Sequence, residues 1–168
     1  LSVESVAICD TLNDIVGLHV TTANSRQLVT EGRCEHGLEV VANRGLLRSL
    51  IQNLVSNAVT YTPRGGAIRI TVTQDAEQNP QLEIRNTNPG LDESDLVRMG
   101  EPFWRKDASR SNRDHVGLGL SLVLHYAALL NLRCKWHLEA EMWVVATVTF
   151  NGAFVAAEQS SSSAVEAI

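Results

Sequence analysis

Apolar residues recur at helical spacing in one stretch: Leu47, Leu50, Ile51, Leu54, Val55, Ala58 and Val59. That period predicts a helix over about 45–61 with one wide apolar arc turned to a core. Asn53 and Asn57 sit four apart and stack on a stripe bordering the arc. Asn is a poor helix former, costing up to ~0.7 kcal/mol against Ala. Ser49, Ser56 and Thr60 lie near the same stripe. Such a local conflict in an otherwise strong helix marks a candidate site. Two solvated amides are the plainer reading, and the helix alone does not choose. Thr62-Pro63-Arg64-Gly65-Gly66 stops it.

The remaining pattern surrounds this helix with strands. Residues 1–25 read as helical in their middle, with Val6, Ile8, Leu12, Ile15, Val16 and Leu18 as apolar positions and Asp10 or Thr11 as cap. Short β-prone runs at 27–29 and 38–41 flank a polar turn and read as paired strands. Residues 67–73 and 82–86 alternate cleanly and predict a hairpin. Asn86-Thr87-Asn88-Pro89-Gly90 is turn chemistry. Residues 91–116 are irregular, with a helical turn near 93–99, and a loop that long is functional or mobile. Gly117-Leu118-Gly119-Leu120 opens a second helix to about 131, its core side Leu120, Val123, Leu124, Ala127 and Leu130. Runs at 134–138 and 143–150 are strands around Glu139-Ala140-Glu141. We expect one domain over 1–153, in which 1–25 hold the first helix and the remnant of an upstream linker. A low-complexity tail carrying Ser160-Ser161-Ser162-Ser163 follows at 154–168.

Composition narrows the function classes. The 168 residues are 44% hydrophobic, enough for one sizeable core. A net charge of -5 offers no basic field for a nucleic acid. No run of about 18 apolar residues is present, so no direct membrane contact is expected of this chain. Cys9, Cys34 and Cys134 are few, odd in number and widely spaced, which predicts reduced thiols and a cytoplasmic setting.

Three features carry chemistry. A neutral amide oxygen on the Asn53/Asn57 stripe suits Mg²⁺ when phosphates supply the negative charge. The glycine in the 86–90 turn permits close backbone approach. The two glycines at 117 and 119 free helix-start N–H groups for a phosphate. In this order they resemble the GHKL (Bergerat) nucleotide-binding fold, and specifically the catalytic and ATP-binding domain of bacterial sensor histidine kinases. Asn53-Leu54-Val55-Ser56-Asn57-Ala58-Val59-Thr60-Tyr61-Thr62-Pro63 is similar to the N box. Asn86 to Leu91 resembles the G1 box, Glu101-Pro102-Phe103-Trp104-Arg105 the F box and Gly117 to Leu120 the G2 box. The resemblance covers about residues 10–150. It implies an α+β, two-layer sandwich, with a mixed sheet and about three helices on one face.

The resemblance also implies roles. ATP and Mg²⁺ would bind here, with Asn57 as metal ligand and Asn53 assisting at the phosphates. Tyr61 would stack on the adenine. Asn86, where the family usually has Asp, would accept the adenine amino proton. Gly90 would let the purine approach. Gly117, Leu118, Gly119 and Leu120 would line the phosphates, under a lid at about 92–116. Arg105, Lys106, Arg110 and Arg113 cluster in that lid and read as a solvated run with one or two phosphate contacts. Hydrolytic relatives and anti-sigma serine kinases carry a Glu general base where this chain has Asn53. Asn53 therefore implies a domain that presents the γ-phosphate to a His elsewhere. None of His19, His36, His115, His125 or His137 has a phosphoacceptor context, and residues 1–9 are too short for the helical hairpin that bears one. The implied partners are an upstream dimerisation and phosphoacceptor domain, a response regulator and a second copy of the full-length protein, with an inner-membrane anchor compatible. Alone, the chain would bind ATP without phosphorylating itself. Four positions depart from the family pattern: Thr60 for Lys, Asn88 for Gly, Gly100 for Phe, and His115-Val116 before Gly117. They keep open a second reading, a degenerate pseudokinase module serving protein contacts; an anti-sigma-type serine kinase ranks third.

Overall fold

Asn43 starts the central helix by accepting the Leu46 N–H at 3.0 Å. The helix is observed over Arg44–Tyr61, and all seven predicted apolar positions are buried. Pro63 cannot continue it, and Thr62 closes it by donating its hydroxyl to the Ala58 carbonyl at 2.6 Å. The computed structural model describes residues 2–104, 106, 117–140 and 142–151, with the backbone of 154–156 and 163–165. Arg105, Arg110, Arg113, His115 and Val116 lie outside the described residues.

Elements run β1 (Glu4–Ala7), α1 (Ile8–Ser25), β2 (Val29–Cys34), β3 (Leu38–Ala42), α2 (Arg44–Tyr61), β4 (Ala67–Gln74), β5 (Pro80–Thr87), α3 (Glu93–Arg98), α4 (Gly119–Leu129), β6 (Arg133–Glu139), β7 (Trp143–Thr149), β8 (Phe154–Ala156) and β9 (Ser163–Val165). A six-stranded sheet has the order β6-β7-β5-β4-β2-β9, and a three-stranded one β1-β3-β8. In the large sheet β2 and β4 are parallel and the remaining pairs antiparallel. Period-2 alternation turns Ile68, Ile70, Val72, Leu82, Ile84, Ala146 and Val148 to one face, where they meet α1, α2 and α4 in a single core. Ile70 lies opposite Ile84, and Ile84 opposite Ala146, so the apolar rows run straight across the strands. The other face carries ion pairs, Arg69 with Glu31 at 2.9 Å and Arg85 with Glu83 at 2.6 Å. The expected α+β, two-layer architecture is thus observed, with the short α3 as a fourth helix.

Four expectations need correction. β2 and β3 do not pair with each other. The Glu35-His36-Gly37 turn, with Gly37 at φ +78°, passes the chain from one sheet to the other. β2 instead pairs in parallel with β4, which demands a crossover, and α2 is that crossover. Val6, expected among the apolar positions of the first helix, lies instead in β1, which forms an antiparallel ladder with β3 from Glu4–Ala42 to Ala7–Glu39. Neither Asp10 nor Thr11 caps α1: its N-cap is Ala7, without a side-chain bond, and Leu18 is exposed. Finally, Cys9 and Cys34 form a disulfide with Cα atoms 5.9 Å apart. Both face the core from elements that meet only in the fold, so their spacing in the chain gives no hint. Cys134 is free and half-buried, and burial pushes its thiol up to about 11. Among the described residues no helix is long and apolar enough to cross a membrane.

Thiol titration of the unfolded, unreduced chain should find Cys134 alone; reactivity at Cys9 or Cys34 would overturn the bridge. The bridge closes a separation of 25 residues. Reduction is expected to lower the unfolding free energy by about 2–4 kcal/mol, read as a lower urea midpoint.

Candidate functional site

The apolar arc of α2 presses the helix onto the sheet and leaves Asn57 facing the start of α4. Between them, and against the ends of β5 and β7, lies a cavity of about 650 Å³. That volume falls in the range of small-molecule sites. α2 contributes Leu54, Asn57, Ala58, Thr60 and Tyr61; β5 and its turn contribute Ile84, Asn86, Asn88, Pro89 and Gly90; the α4 entry contributes Gly117, Gly119 and Leu120. Seven of the ten predicted site residues therefore share one cavity: Asn57, Tyr61, Asn86, Gly90, Gly117, Gly119 and Leu120. Asn53 and Leu118 are not among its lining residues, and Arg105 lies outside the described residues. Asn53 instead donates its side-chain N–H to the Ser49 carbonyl at 2.7 Å.

Asn57 is the focus. Its Nδ2 is buried with no hydrogen-bond partner among the described residues, which in an interior calls for an explanation. A Cβ on Gly119 would stand 2.6 Å from Asn57 Oδ1 and 2.9 Å from Nδ2. Only a residue without a side chain lets α4 begin directly against that carboxamide. Leu118, the N-cap of α4, makes no side-chain capping bond, so no side chain of the cap satisfies the first-turn N–H groups. An orphaned amide beside such a helix start is a setting for an anion. The donor set also fits Mg²⁺ brought by phosphates: Asn57 can offer a neutral oxygen. Among the described residues no group of three His, Cys, Asp or Glu could hold a metal unaided.

The base side is built by turns. Asn86 is 8% exposed, and its Nδ2 donates to the Thr87 carbonyl at 3.5 Å, the limit of a hydrogen bond. Pro89 and Gly90 occupy the centre of a turn closed by Leu91 N–H to Asn88 O at 3.4 Å. A Cβ on Gly90 would meet only Asn88 Oδ1, at 3.7 Å, so the protein's own packing does not require that glycine. Tyr61 is 45% exposed, leaving a ring face available.

Sequence reasoning missed several lining residues: Arg26, Met99, Trp104 and Trp136. Trp136 was legible in principle from the in-and-out alternation of β6. Arg26 was not; it donates from Nη1 to the Val59 and Thr60 carbonyls and from Nη2 to Thr62 O, capping α2 beside Tyr61. On the lid side, Asp92 and Asp95 form a reciprocal capping box for α3. The Ser94 hydroxyl, the Asp95 N–H and Lys106 hold the Asp92 carboxyl down at about 2. Lys106 lines the cavity, but its ammonium pairs with Asp95 and, at 3.5 Å, with Asp92. Its charge is thus paired with the two carboxylates at the start of α3. Gly100, expected to weaken an apolar anchor, meets Leu124, whose Cδ1 would lie 2.6 Å from a Cβ there. Gly117, at φ +76°, accepts the Phe103 N–H at 2.9 Å and abuts the Phe103 and Trp104 backbone.

A family model described as histidine kinase-, DNA gyrase B- and HSP90-like ATPase matches residues 42–159, more than half of the chain. The chain belongs to this ATPase family. Within it, the chain is 49% identical over 80 residues to the phosphate regulon sensor protein PhoR of Pseudomonas aeruginosa, covering 47% of this chain and 18% of that one. It is 31% identical over 126 residues to the sensor-like histidine kinase SenX3 of Mycolicibacterium smegmatis, covering 74% and 33%. The chain thus spans a third or less of these curated relatives. Its fold matches full-length ShkA in complex with AMPPNP, with a TM-score of 0.79 at 22% identity, covering 94% of this chain and 32% of that one. It also matches the catalytic domain of histidine kinase ThkA, with a TM-score of 0.75 at 17% identity, covering 89% and 97%. The likeness to histidine kinase catalytic domains expected from the four boxes is borne out in this ATPase family member.

Two glycines should respond differently to alanine. At Gly119 the atoms nearest the new methyl belong to the end of the flexible Asn57 side chain. The fold is expected to hold within about 1 kcal/mol, since Ala is the better helix former. At Gly66 it meets the Pro63 carbonyl at 2.8 Å as well as Thr62 and Thr87. There a loss of about 1–3 kcal/mol is expected in urea unfolding; equal losses would show that Gly119 is a packing residue.

Proposed function

We propose that this chain is the ATP-binding catalytic domain of a sensor histidine kinase. It holds Mg-ATP and presents the γ-phosphate to a His on a dimeric helical domain, from which a response regulator takes it. The observation that carries this reading is the orphaned Asn57 carboxamide, set against bare Gly119 at the uncapped start of α4 inside the cavity.

Each wall has a part. Tyr61 stacks on the base and Asn86 hydrogen-bonds its edge. Gly90 leaves room for the purine beside the turn. The first N–H groups of α4 and the bare Gly117 and Gly119 receive the phosphates. Asn57 would hold Mg²⁺, which when bound neutralises phosphate charge. Asn53, one turn before Asn57, assists at the phosphates on release of its bond to the Ser49 carbonyl. No Asp, Glu, His or Cys is among the described lining residues. With no carboxylate, imidazole or thiol among its described lining residues, the cavity is read as one that binds and orients the nucleotide and leaves the attack to a group outside it. His19, His36, His125 and His137 do not line the cavity, which supports a phosphoacceptor elsewhere. The chain alone is therefore inactive in autophosphorylation. ATP as donor and a response regulator as acceptor place the domain in the cytoplasm of a homodimeric protein.

Nucleotide at a hundredfold over its Kd should stabilise the wild-type chain by about 2.7 kcal/mol, seen as a raised melting temperature in Mg-ATP. Asn57→Ala is expected to weaken Mg-ATP binding about tenfold or more, the scale of one charge-assisted contact, and to weaken metal-free binding less. A melting temperature indifferent to millimolar Mg-ATP would overturn the kinase reading and support a pseudokinase module.

A further inference from the structure

Asn86 and Asn88 are two positions apart at the end of β5, and both line the cavity. The base-side wall therefore presents two neutral carboxamides. No carboxylate is among the described lining residues. A carboxylate only accepts hydrogen bonds, so it suits the exocyclic amine of adenine and repels the carbonyl oxygen of guanine. A carboxamide carries one acceptor and two donors, and its terminal torsion is broad and roughly two-fold. Turned one way it accepts from an adenine amine. Turned the other way it donates to a guanine O6 and accepts from the guanine N1–H.

What holds Asn86 in one orientation is slight. Its Nδ2 reaches the Thr87 carbonyl at 3.5 Å, and among the described residues no donor is recorded on its Oδ1. Reversing the amide thus gives up one marginal contact. Asn88 adds a second adaptable amide, with its Oδ1 near Gly90 and its backbone N–H fixed on Met142 O at 2.8 Å.

We propose that the paired amides Asn86 and Asn88 give this site a relaxed purine choice, so that guanine as well as adenine triphosphates bind. The inference rests on the nucleotide reading above. Calorimetric titration of the wild-type chain with non-hydrolysable adenine and guanine triphosphates, both with Mg²⁺, tests it. A carefully read base edge discriminates by roughly 1–3 kcal/mol per bidentate pair, or about 5–150-fold. Wild type is expected to bind the two within about tenfold, and Asn86→Asp to widen the adenine preference by about tenfold or more. A wild-type preference for adenine beyond about a hundredfold overturns the proposal and leaves the nucleotide site standing. The same holds for a ratio that Asn86→Asp does not move. Binding of neither overturns the nucleotide reading, and the purine proposal with it.

Discussion

Asn57 lies against the bare backbone of Gly119, and the site depends on that contact. Two helices can approach this closely only where one of them lacks a side chain. The approach is driven from behind, by seven apolar residues of α2 buried on the sheet. Burial of a Leu or Ile side chain is worth ~1.5–3 kcal/mol, while a lost hydrogen bond on Asn57 costs ~1–3 kcal/mol. The core therefore holds an unsatisfied amide in place that the helix on its own would not choose. Packing energy is converted into a fixed, unsaturated polar group, and that is what a binding site requires.

How much of this was legible in the sequence varies with the range of the interaction involved. The α2 arc follows from a local period, and all seven residues are buried as that period requires. The β4–β5 hairpin follows from alternation and a polar turn, and its register from Ile68–Asn86 to Gln74–Pro80 places the G1 turn at the cavity. What failed was non-local. Nothing near β2 in sequence says that its ladder partner lies beyond a helix. Nothing about Cys9 says that α1 begins beside the end of β2. Seven of ten proposed site residues share the cavity because the motifs sit at element ends, whose positions the local pattern fixes. Arg26 escaped notice because its three acceptors are backbone carbonyls, which carry no sequence signal.

The departures from the family pattern read differently once packing is known. Gly100 looked like a missing anchor, yet Leu124 of α4 occupies the space where its side chain would start. Gly117 looked like a phosphate loop residue alone, yet it also bonds Phe103 and abuts the Trp104 carbonyl. One glycine thus serves the wall of the cavity and the seating of the F-box segment. Substituting it would move both, so a loss of binding at Gly117 says less about phosphate contact than a loss at Gly119.

The electrostatics of the cavity follow from which cations are already committed. Two basic side chains are among its described lining residues, Arg26 and Lys106. Arg26 has hydrogen bonds to three carbonyls at the end of α2, and Lys106 pairs with Asp95 and Asp92. Lys106 is paired with two carboxylates, whereas the carbonyl partners of Arg26 are neutral and leave its positive charge at the cavity wall. The attraction among the described residues is the charge of Arg26, the helix start of α4, equivalent to about half a charge, and the dipole of one amide. A triphosphate carries several negative charges, so these groups alone hold it weakly. The divalent cation proposed to arrive with the phosphates would supply the missing charge. The metal dependence proposed for this site thus rests on how Lys106 is tied as much as on Asn57 itself.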